Sequence, residues 1–101
     1  MTFRIRFAPQ ALDQLDALED HIVSAGFPLA AARYIDSLFE FFESLAQFPL
    51  RGTRRDDLLP GVRVTNFRHR TIIAFVADVD QCALSTLGVF HGGQNYEAAL
   101  R

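Results

Sequence analysis

His91 closes an apolar run and is followed at once by Gly92 and Gly93, with Asn95 and Tyr96 a few positions on. Imidazole is the side chain best matched to proton transfer near neutral pH, so a histidine at such a strand end could serve in acid-base cleavage of RNA. The plainer reading is a strand-end histidine that bonds nearby backbone. The rest of the catalytic inventory is thin: no Gly-rich phosphate cradle, no supported Ser-His-Asp order, and no Cys or His spacing that builds a metal site. No metal and no cofactor is expected. His21 lies among acids and reads as a surface residue, while Asp78 and Asp80 sit where turn chemistry wants aspartate.

Charge is the second feature with chemical content. Between Arg51 and Arg70 the bases Arg51, Arg54, Arg55, Arg63, Arg68 and Arg70 outweigh Asp56 and Asp57. From Ala8 to Gln47 the balance reverses: Asp13, Asp16, Glu19, Asp20, Asp36, Glu40 and Glu43 face a single base, Arg33. The net charge of −2 conceals this asymmetry. Every Lys/Arg position is arginine, whose planar guanidinium pairs bidentately with carboxylate or phosphate. The segment is therefore a candidate anion-recognising face, with Arg63, Arg68 and Arg70 weighing most, since Arg51, Arg54 and Arg55 have acids beside them that neutralise part of their charge.

These side chains must be held by something, and the apolar periodicity says what. Thr2 to Phe7 alternates Phe3, Ile5 and Phe7 with Arg4 and Arg6, the period of a half-buried strand. Pro9 suits the first turn of a helix, and Leu12, Leu15, Leu18, Ile22 and Ala25 recur at helical spacing until Gly26. Pro28 starts a second helix with a stripe of Ala31, Tyr34, Ile35, Leu38, Phe41, Phe42 and Leu45, closed by Phe48-Pro49. Gly26-Phe27 alone separates the two, which predicts an antiparallel helical hairpin. Phe39 falls about 100° around the helix from Leu38, at the stripe's margin, where an aromatic can cover a bound partner.

The helical period stops in a loop from Pro49 to Gly61. A strand follows over Val62 to Phe67, a turn near Arg68-His69, a central strand over Thr71 to Ala77 that is apolar on both faces, a turn at Asp78 to Gln81, and a last strand from Cys82 to Phe90. Gln94 to Arg101 reads as a short tail. The expected fold is α+β with order β-α-α-β-β-β: a helical hairpin packed on a small, mainly antiparallel twisted sheet. A chain of 101 residues, half of them hydrophobic, has room for one core, so residues 1–101 are read as a single domain. The N-terminus lacks the pattern of a signal peptide, and no apolar run approaches the roughly 20 residues of a membrane span. Cys82, the one cysteine, reads as a buried small hydrophobe in a reducing compartment. The expectation is a cytoplasmic protein without membrane contact.

The whole chain resembles the ParE/RelE superfamily, the toxins of type II toxin-antitoxin modules, also described as plasmid stabilisation proteins. The resemblance is carried by Ala8-Pro9 running into Ala11-Leu12-Asp13-Gln14-Leu15; Leu45-Ala46-Gln47-Phe48-Pro49 followed by Arg51-Gly52; Leu59-Pro60-Gly61-Val62-Arg63; Arg70-Thr71-Ile72-Ile73-Ala74-Phe75; and Gly88-Val89-Phe90-His91-Gly92-Gly93. It implies a toxin silenced by a cognate antitoxin, ParD-like or similar, that wraps its helices and sheet and itself makes any contact with DNA. The residues expected to meet that antitoxin are Phe39, Arg63, Phe67, Arg68, Arg70 and Phe90. ParE-like members of the superfamily are described as inhibitors of DNA gyrase. RelE-like members cleave messenger RNA on the ribosome, which here would use Arg63 or Arg70 on the phosphorane and His91 or Tyr96 for proton transfer. The absence of lysine and the acidic balance favour the ParE branch, because dense contact with ribosomal RNA demands a positive surface.

Overall fold

The structure, a computed structural model, describes residues 2–101. Strand β1 (Arg4–Phe7) leads into helices α1 (Pro9–Ser24) and α2 (Pro28–Gln47), then strands β2 (Thr53–Arg54), β3 (Val62–Phe67), β4 (Thr71–Asp78) and β5 (Ala83–His91), and a last helix α3 (Tyr96–Leu100). Both long helices take proline in the first turn, where a missing N–H costs nothing. Gly26, at φ 95°, makes the left-handed turn between them that a Cβ would resist.

The sheet order is β1-β5-β4-β3-β2. β1 pairs with β5 in parallel, from Arg4↔Ala83 to Phe7↔Thr86, because the helical hairpin carries the chain back across one face before the sheet is completed. All other neighbours are antiparallel. β4 is central, as its two apolar faces require. Ile73, Phe75, Val89 and Leu84 pack under the hairpin with Leu15, Leu18, Leu38, Phe42 and Leu45. The opposite face buries Leu58, Val62, Ala74, Phe90 and Leu100.

Two elements lie outside the expected β-α-α-β-β-β order. β2 lies within what reads as loop; it is two exposed residues long and has no alternation to betray it. Gly52, at φ 83°, lets the backbone pass so close to β3 that a Cβ there would stand 2.7 Å from the Val64 carbonyl oxygen. The tail is likewise not featureless: α3 is capped by Asn95, whose side chain accepts a hydrogen bond from the Ala98 N–H, and anchored by buried Leu100. Cys82 stands just outside β5, in the preceding turn at φ 49°, and is only partly buried, because the sharp return from β4 needs a left-handed residue there.

Candidate docking surface and histidine cleft

The β3–β4 turn falls where the residues place it, but its backbone is costly. Arg68 and His69 are both left-handed, at φ 53° and 59°, a conformation that hairpin turns normally assign to Asn-Gly. Each non-glycine residue there costs about 1–2 kcal/mol. Arg68 is held over aromatic rings, its guanidinium 5.7 Å from the centre of Tyr34 and 5.1 Å from that of Phe67. Further along the same flank of α2, Arg51 lies 5.6 Å from the centre of Phe41 and donates to the Ser44 hydroxyl. Arg63 donates to the Leu50 carbonyl at 2.9 Å and so fastens the chain leaving α2 to β3.

The residues expected to meet an antitoxin therefore fall into three places. Arg63, Arg68 and Arg70 lie along β3 and its turn. Phe39 is half-exposed on the opposite flank of α2, against Phe7 and Phe42. Phe67 and Phe90 are only 8% and 4% exposed and belong to the cores on opposite faces of the sheet, because strand alternation sends them inward. Ion pairs Arg54–Asp56 and Arg55–Asp57 neutralise two of the loop arginines as their proximity in the sequence suggests, but Arg51 forms no ion pair among the described residues.

His91 sits on the helical face of β5. Its Nδ1 is 2.9 Å from the hydroxyl of fully buried Thr71, which is also hydrogen-bonded to the Tyr34 hydroxyl. Its ring lies 5.9 Å from Tyr34 and 6.4 Å from His21, centre to centre. Burial first, then the positive charges of His21 and Arg70, push the His91 imidazole below its usual pKa. Past Thr86, β1 no longer covers the edge of β5, and two glutamines take its place. Gln14 Oε1 accepts from the Val89 N–H at 2.6 Å and Gln94 Oε1 from the His91 N–H at 2.9 Å. Between α1 and this edge opens a cleft of about 380 Å³ whose lining includes Gln14, His21, His91 and Gln94.

Tyr96 is elsewhere. Its ring packs on Phe90, on the sheet face away from the helices, and its hydroxyl receives a hydrogen bond from Arg55 at 3.1 Å. Arg55 also binds Asp57 and Glu97, which raises the pKa of its guanidinium and ties α3 to the loop before β3. Of the four side chains considered for RNA cleavage, His91 and Arg70 are thus brought together, Arg63 lies at the far end of β3, and Tyr96 is across the sheet. Sequence reasoning missed Thr71 and Tyr34 as partners of His91. One sits in an apolar run and the other in an apolar stripe, so neither carries a local signal.

A family model described as the ParE toxin of type II toxin-antitoxin system, parDE, matches residues 5–96. No curated protein matches. Among solved structures, the chromosomal ParDE toxin-antitoxin system from P. aeruginosa is similar at 22% identity and a TM-score of 0.74, covering 89% of this chain and 96% of that one. The RelBE2 complex from Mycobacterium tuberculosis is similar at 22% identity and a TM-score of 0.66, covering 91% and 100%. A variant of the E. coli toxin RelE in the free state shares 11% identity at a TM-score of 0.68, covering 98% and 93%. With the match spanning nearly the whole chain and both the helical hairpin and the sheet in place, the chain belongs to the ParE toxin family of type II toxin-antitoxin systems.

Proposed function

We propose that this toxin acts by occupying DNA gyrase rather than by cleaving RNA, with residues 1–101 working as one domain in the cytoplasm. The observation that supports this reading is the dispersal of the proton-transfer and phosphate-binding side chains. Acid-base cleavage of a phosphodiester needs its groups within hydrogen-bond reach of one reacting centre. Here Tyr96 is engaged by Arg55 on the far face of the sheet, and Arg63 is engaged by a backbone carbonyl. The acidic hairpin adds to the case, since it would repel ribosomal RNA.

A cognate antitoxin, ParD-like or similar, holds the toxin silent and makes the module's only contact with DNA. Its carboxylates meet half-buried Arg63 on β3 and exposed Arg68 and Arg70 at the following turn, while Phe39 offers apolar contact. A second reading, ribosome-dependent cleavage of messenger RNA, is favoured by one observation: neutral His91 faces an open cleft with Arg70 nearby. The deciding experiment is a gyrase supercoiling assay with purified toxin, titrated with antitoxin, beside a ribosome-dependent RNA cleavage assay. Loss of supercoiling that antitoxin reverses, with RNA intact, is the expected result; cleavage with unaffected gyrase overturns it.

A further inference from the structure

The tip of the helical hairpin and the tip of the β3–β4 hairpin lie side by side. Between them runs an open groove of about 590 Å³, lined by Phe27, Leu29, Arg33, Tyr34 and Arg68 with the backbone at Gly26. Phe27 and Leu29 are 61% and 63% exposed and line the same groove, a contiguous apolar patch rimmed by charge of the kind that marks interaction sites. Arg33 and Arg68 are both exposed, and neither forms an ion pair among the described residues. Arg33 is the one base in a helical hairpin otherwise full of acids, and folding places it beside the strained arginine of the other turn.

We propose that this groove is the docking site for a short acidic segment of the antitoxin, with apolar side chains set between its carboxylates. The inference rests on the reading of the chain as an antitoxin-held toxin, and adds Phe27, Leu29, Arg33 and Tyr34 to the residues that meet the partner. Charge complementarity selects the occupant. Asp13, Asp16, Asp20, Asp36, Glu40 and Glu43 repel an acidic segment along the remainder of the hairpin, whereas Arg33 and Arg68 attract one to this groove. The apolar pair accounts for affinity and the two guanidinium groups for register.

The floor of the groove is set before anything binds. Tyr34 is held from below by its hydrogen bond to Thr71 and from the side by Phe67, whose ring centre is 5.4 Å away, and Arg68 stacks over both rings. A guanidinium already stacked loses less freedom when it meets a carboxylate. The left-handed backbone at Arg68 and His69, where glycine would be the relaxed choice, is strain spent on that placement.

The test is titration of the full-length toxin with the antitoxin encoded beside it. R33E and R68E are each expected to weaken binding on the order of tenfold, the double variant on the order of a hundredfold, and F27A on the order of tenfold. R4E, on β1, is expected to change nothing, and circular dichroism should report every variant folded. A Glu→Arg change in the antitoxin that restores binding to R68E would support the pairing directly. Wild-type affinity in the R33E/R68E double variant overturns the groove and leaves the toxin reading standing. Failure of the unaltered toxin to bind the antitoxin at all overturns both.

Discussion

The Thr71 hydroxyl stands between His91 Nδ1, at 2.9 Å, and the hydroxyl of Tyr34, linking the end of β5 to the second turn of α2 through a residue with no solvent exposure. Its single proton makes the chain directional. In the neutral tautomer that carries its proton on Nε2, Thr71 donates to Nδ1 and Tyr34 donates to Thr71. Protonation turns Nδ1 into a donor, so Thr71 must accept from it and donate toward Tyr34 instead. The state of one imidazole thereby sets the direction of a buried hydrogen-bond chain that ends beneath Arg68.

The His91 pKa is depressed in the fold, so the folded state prefers neutral imidazole. The stability this contributes is present above about pH 6.5, the ordinary value, and is lost as the pH falls through the lower folded value. Urea denaturation at pH 7.5 and 5.5 should show the acid-side loss, and H91Q should remove that part of the pH dependence. H21A should raise the His91 pKa in an NMR titration by removing one of the charges that depress it.

Thr71→Val deletes the bridge and leaves the Tyr34 hydroxyl and His91 Nδ1 without it. The expected cost is about 1–3 kcal/mol by urea denaturation, the penalty for stranding part-buried polar groups. Y34F should cost less, about 0.5–1.5 kcal/mol. A double-mutant cycle between the two should be non-additive, since both remove the same bond.

Arg55 binds Asp57, Tyr96 and Glu97, so it is the clasp on α3. R55A should speed amide hydrogen exchange and proteolysis in residues 94–101 while leaving the protection of β4 unchanged. L100A should act on the same helix through packing, at about 2–5 kcal/mol.

Gly52→Ala puts a Cβ at 2.7 Å from the Val64 carbonyl oxygen and demands a left-handed alanine. A loss of about 1–3 kcal/mol is expected, with exchange accelerated at β2. His69→Gly should do the opposite, raising stability by up to about 1 kcal/mol through relief of backbone strain.

Order, helix boundaries and the central place of β4 were legible in the residues because they follow from local periodicity and from proline and glycine chemistry. The hairpin of α1 and α2 needed only Gly26-Phe27 between two apolar stripes. β2 and α3 were not legible, since a two-residue edge strand and a five-residue helix form only because β3, Arg55 and the core around Phe90 hold them. The same division runs through the candidate sites. Sequence alone determined the acidic hairpin, the basic segment after it, and a histidine at the end of the last strand. Only the tertiary structure decided that His91 meets Thr71, Tyr34 and His21, that Tyr96 faces away from it, and that Arg33 comes to lie beside Arg68. Contacts between residues far apart in the chain depend on register, and register is set by how whole elements pack, which no short window of sequence contains.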